Sequence, residues 1–184
     1  AYLTLGQTSA NDFVAGEGLL MAPTIAVSKL IDRAGLKLQD FDFYEIHEAF
    51  AAQVLCTLKA WEDPEYCRTR LGKAEPLGAI DRAKMNMMGS SLAVGHPFAA
   101  TGARIVANLA KLLAENGGRG LISICTAGGM GVAAIMEGKA RAAVREPLPQ
   151  SITTDVGVAQ PVAPGSQPEA PAPSAPSPAG PAKA

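Results

Sequence analysis

The stretch between residues 102 and 136 constrains the fold most, because in it one amphipathic helix leads directly into two apolar strands. Apolar residues recur at helical spacing over 102–115, and the Asn-Gly-Gly sequence at 116–118 is a typical helix stop. The apolar runs 120–125 and 132–136 are separated by a short glycine-rich turn, which predicts a β-hairpin. We expect an α/β domain, since an amphipathic helix must bury its apolar face against another element.

The N-terminal part of the chain repeats this alternation of strand and helix. Residues 2–9 alternate weakly and predict a strand, whereas residues 24–34 have helical spacing and stop at Gly35. Residues 41–46 predict a second strand, which runs directly into a helix predicted over 47–61. This order is typical of an α/β domain.

Two further segments have less regular patterns. Residues 62–82 are polar and interrupted by proline and glycine, so they predict a surface excursion in which Cys67 is an incidental exposed thiol. Residues 85–102 form an apolar, glycine-punctuated loop to which we assign one further strand. The expected architecture is therefore a mixed five-stranded sheet with helices, ending in an antiparallel hairpin.

A change of composition predicts where the folded domain ends. Of the 14 prolines in the chain, 10 lie in 147–184, among Ala, Ser and Gly. Such a segment cannot bury a core, so we expect a folded domain over 1–140 and a Pro/Ala-rich disordered tail over 141–184. The tail is either passive or a tether for a partner.

Charge and composition exclude several function classes. The net charge is −1 and no run of 18 apolar residues occurs, which argues against a nucleic-acid-binding surface and a membrane span. The first residues lack the basic region of a signal peptide. The cysteines at 56, 67 and 125 are far apart and, with two histidines, form no common zinc pattern. We therefore expect no metal, and a reducing, cytoplasmic compartment.

Three polar residues are candidates for chemistry. His96 lies between Gly95 and Pro97, on a stiff loop that suits an acid/base group but also an ordinary loop histidine. His47 lies at a strand-to-helix junction, where ligands bind in α/β sheets, although a polar residue near the helix N-cap also fits. Cys125 ends a strand beside a Gly-Gly turn and is either an accessible acid/base thiol or a small buried strand residue.

These residues belong to three motifs that follow one another in a definite order. They are His-Glu-Ala-Phe at 47–50, Gly-His-Pro at 95–97 leading to Thr-Gly-Ala-Arg at 101–104, and Cys-Thr-Ala-Gly-Gly-Met-Gly at 125–131. In this order and at these separations, they resemble the C-terminal half of a thiolase over about residues 1–138. The histidine ahead of Glu-Ala-Phe, where many thiolases have Asn, is most similar to 3-ketoacyl-CoA thiolases of the trifunctional β-subunit type.

The resemblance implies a role for each of the three polar residues. His96 would activate a nucleophilic cysteine and help to form an oxyanion hole at the thioester carbonyl. Cys125 would be the acid/base that moves the α-proton or protonates the leaving acetyl-CoA carbanion. His47 would complete the first oxyanion hole, where a hydrogen-bond donor is needed.

The resemblance also assigns roles to less polar positions. The backbone N–H of Ala127 would serve the second oxyanion hole, and Ala49 and Phe50 would line the pantetheine channel. Ala127 and Ala99 stand where glycines are common in the family. The N–H donor survives in Ala127, but its backbone must then avoid positive φ.

The implied activity is thiolytic cleavage of 3-ketoacyl-CoA to acetyl-CoA and a shortened acyl-CoA, as in fatty-acid β-oxidation, with coenzyme A as a substrate and no cofactor. The thiolase nucleophile lies in the N-terminal half, and neither Cys56 nor Cys67 has its surrounding motif. We therefore expect an isolated chain that is inactive and self-associating. The expected partners are a thiolase N-terminal half or second subunit, in a homo-oligomer or a complex with a hydratase/dehydrogenase subunit.

Two alternatives remain open. One is a non-catalytic thiolase-fold binding or assembly subunit that uses the proline-rich tail as a tether. The other is a degenerate lipid carrier of the same fold, which fits less well because the acid/base residues are present.

Overall fold

The computed structural model describes residues 1–139, which form one mixed sheet covered by helices on both faces. The elements, in chain order, are β1 Tyr2–Ala10, α1 Ala22–Ala34, β2 Phe43–Ile46, α2 Ala51–Glu62, α3 Pro64–Arg70, a 3₁₀ turn at Arg82–Lys84, α4 Ser91–Val94, α5 Thr101–Asn116, β3 Gly118–Thr126 and β4 Met130–Gly138. The predicted α/β class is confirmed.

The sheet has the strand order β1-β4-β3-β2. β3 and β4 pair antiparallel as the predicted hairpin, and β1 pairs antiparallel with β4 at the edge of the sheet. β2 pairs parallel with β3, so Phe43 lies opposite Gly120 and Ile46 opposite Ser123. A parallel pair requires a long crossover, which here is residues 47–117 with helices α2 to α5.

The prediction of five strands was wrong, because the described sheet has four. The strand expected within 85–102 is reduced to a single bridge between Met85 and Tyr44. The next residue, Asn86, has a φ of 51°, a left-handed conformation that Asn tolerates but that takes the chain out of the extended strand. Its side-chain amide then replaces a strand neighbour, accepting from the Ile46 N–H at 2.8 Å and donating to the Ile46 C=O at 2.9 Å.

The two faces of the sheet bury different helices. One face packs against α1 and α2 around Tyr44, Leu121 and Ile135. The other packs against α5 around Ile122 and Ala134. Alternate residues of each strand thus enter opposite cores, and the described domain has three layers: helix, sheet and helix.

Two local predictions were also wrong. The helix predicted over 47–61 begins only at Ala51, because the His47 N–H still bonds the Ser123 C=O at 2.9 Å and keeps the chain on the sheet. The excursion at 62–82 contains the helix α3, and Cys67 on it is buried, with its thiol donating to the Ala60 C=O at 3.4 Å. Cys56 lies within α2, as predicted, and is exposed.

Some predictions fall on residues that the structure does not describe. The boundary at residue 140 and the tail over 141–184 lie outside residues 1–139 and stay predictions. Within the described part, none of the helices has the length and apolarity needed to cross a bilayer. The same part holds no group of His, Cys, Asp and Glu side chains arranged for a metal ion.

Candidate active site

The three predicted motifs converge at the end of the sheet where β2 and β3 finish. His47 follows β2 directly, His96 lies on the loop between α4 and α5, and Cys125 is the penultimate residue of β3. The imidazole rings of His47 and His96 have their centroids 4.4 Å apart and their planes inclined at 54°. The fold therefore brings together two histidines that are 49 positions apart in the sequence.

His47 is held rigidly at the bottom of this site. Its side chain is only 2% exposed, and its Nδ1 lies 3.0 Å from the Ser91 hydroxyl oxygen. Burial lowers the pKa of His47 from 6.5 to about 4, and the positive charges of His96 and Arg104 add to that shift. At neutral pH His47 is consequently an uncharged imidazole, which can donate a hydrogen bond from its one N–H group without carrying a positive charge.

His96 is the accessible member of the pair. Its Nδ1 lies 2.8 Å from the hydroxyl oxygen of Thr101, the first residue of α5, and its ring lies 4.8 Å from the ring of Phe98. Gly95 precedes it with a φ of 92°, which allows the chain to turn sharply at the end of α4. One edge of the ring is thus anchored to α5, and the rest remains open to a ligand or a partner segment.

Cys125 reaches the same region from β3. Its side chain is buried, and because β3 runs parallel to β2, Cys125 lies beside the segment that follows His47. Burial raises the pKa of Cys125, and the backbone N–H groups offset the rise only in part. The thiol therefore stays protonated at neutral pH, which suits a proton donor better than a permanent nucleophile.

A clamp that the sequence did not reveal holds this arrangement in place. The Glu48 carboxylate accepts from the Asn86 side-chain amide at 2.7 Å and from the Leu92 backbone N–H at 3.2 Å. Together with the bonds between Asn86 and Ile46, these contacts tie the loop of His96 to the end of β2. Glu48 is part of a motif recognised from the sequence, but no sequence pattern pointed to Asn86.

Arg104 and Glu45, two ionisable residues close to the histidines, have enclosed polar atoms. Arg104 on α5 donates from Nη2 to the Ser91 hydroxyl at 3.2 Å, while its Nε and Nη1 are enclosed without a partner among residues 1–139. Glu45 on β2 is 1% exposed, and both of its oxygens likewise lack a partner there. Burial raises the pKa of Glu45 from 4.5 to about 7, against the opposing attraction of Arg104.

The other predicted site residues lie around this centre. Ala127 is exposed in the β3–β4 turn and, as the substitution requires, does not have a positive φ. Ala99 does have one, at 67°, so its position favours glycine. Ala49 is half-buried next to Cys125, and Phe50 is exposed at the start of α2. The structure thus gathers His47, His96, Ala49 and Cys125, and leaves Ala127 and Phe50 at the surface.

Comparison with known proteins identifies the family of this chain. The family model described as "Thiolase, C-terminal domain" matches residues 5–138. The chain belongs to the thiolase C-terminal domain family. Among curated relatives, it is 44% identical over 140 residues to a 3-ketoacyl-CoA thiolase of Pseudoalteromonas atlantica, covering 74% of this chain and 32% of that protein. It is 47% identical over 120 residues to one of Pectobacterium carotovorum, covering 65% and 28%.

Solved structures of thiolase relatives share the fold. The peroxisomal 3-ketoacyl-CoA thiolase of Saccharomyces cerevisiae is 35% identical with a TM-score of 0.55, covering 74% of this chain and 34% of that one. The Bacillus anthracis acetyl-CoA acetyltransferase is 31% identical with a TM-score of 0.51, covering 72% and 29%. The thiolase C-terminal domain spans about a third of the length of the curated relatives that it matches.

Proposed function

We propose that this thiolase domain supplies the acid/base half of a 3-ketoacyl-CoA thiolase site, in which a 3-ketoacyl-CoA and coenzyme A give acetyl-CoA and a shortened acyl-CoA. The observation that carries the proposal is the pairing of His47 with His96 at 4.4 Å, at the same end of the sheet as Cys125. These are a hydrogen-bond donor, a base and an acid, the groups that carbon–carbon cleavage of a 3-ketoacyl thioester requires.

Each group has a defined task in that reaction. His96 takes the proton of a cysteine thiol that attacks the 3-keto carbon and forms an acyl-enzyme. The bond between the α and β carbons then breaks, and the electron pair passes to the acetyl-CoA carbanion, which takes the proton of Cys125. The thiol of coenzyme A next gives its proton to the Cys125 thiolate and attacks the acyl group. The enzyme cysteine leaves and takes its proton back from His96. His47 and the N–H of Ala127 donate to the carbonyl oxygens on which charge develops.

The attacking cysteine must come from outside this domain. The chain has three cysteines, of which Cys56 is exposed on α2, Cys67 is buried on α3 and Cys125 has the acid/base role. The yeast relative is described as a five-layered structure made from two core domains of identical topology. Two three-layered domains like this one would make five layers if they shared one helical layer, and the second would then bring the nucleophile.

The outer side of α5 is suited to be that shared layer. The exposed residues of α5 include the small or apolar Gly102, Ala103, Val106, Ala107 and Ala114, with the charged Lys111 between the last two. Small side chains allow another helix to approach closely. The outer side of α1 carries Lys29, Asp32 and Arg33 instead, as expected for a surface that faces water.

The same proposal includes the assembly, the co-substrate and the cellular compartment of the enzyme. The assembled enzyme is a homo-oligomer or is bound to a hydratase/dehydrogenase subunit that supplies its 3-ketoacyl-CoA, and coenzyme A is its substrate without any added cofactor. Three cysteines without a disulfide favour the cytoplasm.

Reconstitution tests the proposed function. The chain is mixed or fused with the N-terminal half of a 3-ketoacyl-CoA thiolase, and cleavage of acetoacetyl-CoA is measured. His96→Ala and Cys125→Ser should each lower kcat by ~10²–10⁴-fold, the usual contribution of an acid/base group. Cys56→Ser is the matched control and should leave the rate unchanged. Full activity in the His96→Ala assembly contradicts the role of His96, whereas binding without turnover favours an assembly subunit.

A further inference from the structure

Two hydroxyl groups connect the paired histidines to the rest of the domain, and each has a different third partner. The Ser91 hydroxyl lies 3.0 Å from His47 Nδ1 and 3.2 Å from Arg104 Nη2. The Thr101 hydroxyl lies 2.8 Å from His96 Nδ1 and 3.1 Å from the Pro97 carbonyl oxygen. A hydroxyl has one proton to donate, so its third partner decides which way that proton points.

On the His47 side, the third partner can only donate. A guanidinium has N–H groups and no acceptor, so Arg104 must give its proton to the Ser91 oxygen. The Ser91 proton then has one acceptor among the described residues, which is His47 Nδ1. An Nδ1 that accepts a hydrogen bond carries no proton, so the proton of the neutral imidazole is on Nε2. His47 thus presents an N–H donor to the site.

On the His96 side, the third partner can only accept. The Pro97 carbonyl takes the Thr101 proton, and the Thr101 oxygen is then free to accept a hydrogen bond from His96 Nδ1. With the other tautomer, the 3.1 Å contact between Thr101 and Pro97 would have two oxygens facing each other with no proton between them. In the neutral ring, the lone pair is therefore on Nε2, and His96 presents a base.

We infer that Ser91, Arg104 and Thr101 are positioning residues that hold His47 and His96 in opposite neutral tautomers, with the proton on Nε2 of His47 and on Nδ1 of His96. Two imidazoles side by side then offer one N–H donor and one lone pair, which fits a carbonyl oxygen next to a thiol. This assignment deepens the proposed function and rests on it for the identity of those two ligand groups.

The burial of His47 is consistent with the assignment. A group whose pKa is lowered to about 4 stays neutral near pH 7, so the ring has a tautomer to be selected. The neighbouring Arg104 also disfavours a second proton on this ring. Neither Nε2 has a hydrogen-bond partner within residues 1–139, so both remain available to a ligand.

Nitrogen NMR of the full 184-residue chain tests the tautomers directly. The chain has two histidines, so its ¹⁵N spectrum holds four imidazole signals, which His47→Asn and His96→Asn assign. At about pH 8, above the ordinary histidine pKa, we expect protonated Nε2 in His47 and protonated Nδ1 in His96. The second result is the diagnostic one, because a histidine in water prefers the Nε2–H form. Finding His96 as the Nε2–H tautomer overturns the inference.

Variants that exchange single hydroxyl groups test the positioning residues. Thr101→Val should convert His96 to the Nε2–H tautomer, and Thr101→Ser should restore the Nδ1–H form. Ser91→Ala should move the His47 Nδ1 signal to the position of a nitrogen without a hydrogen bond, and Ser91→Thr should reverse that shift. Ser90→Ala is the matched control, since the hydroxyl of this buried neighbour bonds the Ile46 C=O at 3.3 Å and neither histidine within residues 1–139, so its loss should move neither histidine signal. A His96 tautomer that does not change in Thr101→Val also overturns the inference.

The spectroscopic result and the enzyme assay can fail separately. Opposite tautomers in a chain whose reconstituted form is inactive support the positioning and count against the proposed function. An active reconstituted enzyme in which both histidines are Nε2–H tautomers overturns the positioning and leaves the proposed function standing.

Discussion

The imidazole of His47 lies 4.4 Å from that of His96, yet the two rings are anchored to different elements, one to α4 through Ser91 and the other to α5 through Thr101. His47 is enclosed and His96 is accessible. The buried ring is suited to a fixed donor and the exposed ring to proton exchange with a ligand. The domain thus separates the two tasks by burial.

The free energy of unfolding should depend weakly on pH in the wild-type domain and strongly in the variants His47→Asn and Glu45→Gln. The pKa of His47 is lowered to about 4, so its contribution is present above pH 6.5 and is lost as the pH falls toward 4. The pKa of Glu45 is raised to about 7, so its contribution is present below pH 4.5 and is lost as the pH rises toward 7. Between about pH 4.5 and 6.5 the two slopes oppose each other.

Removing either side chain should reveal the pH dependence of stability that the other one contributes. We expect the urea midpoint of His47→Asn to fall as the pH rises from 4.5 to 7, and that of Glu45→Gln to fall as the pH drops through the same window. Wild type measured in parallel is the control. Two variants whose slopes have the same sign would show that one of these pKa shifts has the wrong direction.

Removing the Asn86 side chain should open the clamp on the His96 loop. Asn86→Ala loses hydrogen bonds to both backbone groups of Ile46 and to Glu48, and at about 1 kcal/mol each we expect a loss of ~3 kcal/mol in the free energy of unfolding. Asn86→Gly is the comparison variant, because it removes the same bonds but tolerates the φ of 51°. Denaturant unfolding measures both, and wild-type stability in Asn86→Ala would contradict the clamp.

Relieving the backbone at Ala99 should stabilise the domain. Ala99 has a φ of 67° and is exposed, so Ala99→Gly removes a steric cost without removing a buried contact. After the added chain entropy of glycine is subtracted, we expect a gain of about 0.5 kcal/mol. Ala114→Gly on the exposed side of α5 is the control and should lose about 1 kcal/mol. If Ala99→Gly lost as much stability as the control, the prediction would be contradicted.

A charge on the outer side of α5 should block assembly. Ala103→Glu places a carboxylate on the outer side of α5, with no basic residue three or four positions away to pair with it. Burying this charge without a partner is costly, so the affinity for a thiolase N-terminal half should fall at least about tenfold. The same variant should reduce self-association of the isolated chain in sedimentation. Lys29→Gln on the outer side of α1 makes the same change in net charge and should alter neither. Equal effects of the two variants would place the interface elsewhere.

The sequence alone determined the local elements and the identity of the chemical groups. Helical spacing in 24–34 and 102–115 predicted α1 and α5 to within three residues, and the turn after Cys125 predicted the hairpin. These features depend on neighbours in the chain, so the pattern carries them. His47, His96 and Cys125 stood out for the same reason, because each follows a recognisable break in the pattern.

The tertiary structure decided what depends on distant partners. Cys67 is buried because α3 turns back onto α2, which the polarity of 62–82 does not indicate. The fifth strand is replaced by the side chain of Asn86, which bonds Ile46 from 40 positions away. The tautomer of His47 depends on Arg104 through the Ser91 hydroxyl, and that of His96 depends on Pro97 through the Thr101 hydroxyl. The direction of each hydrogen bond is set by the third partner of the hydroxyl, which lies nearby only in the folded domain. The spacing of residues along the sequence does not reveal that partner.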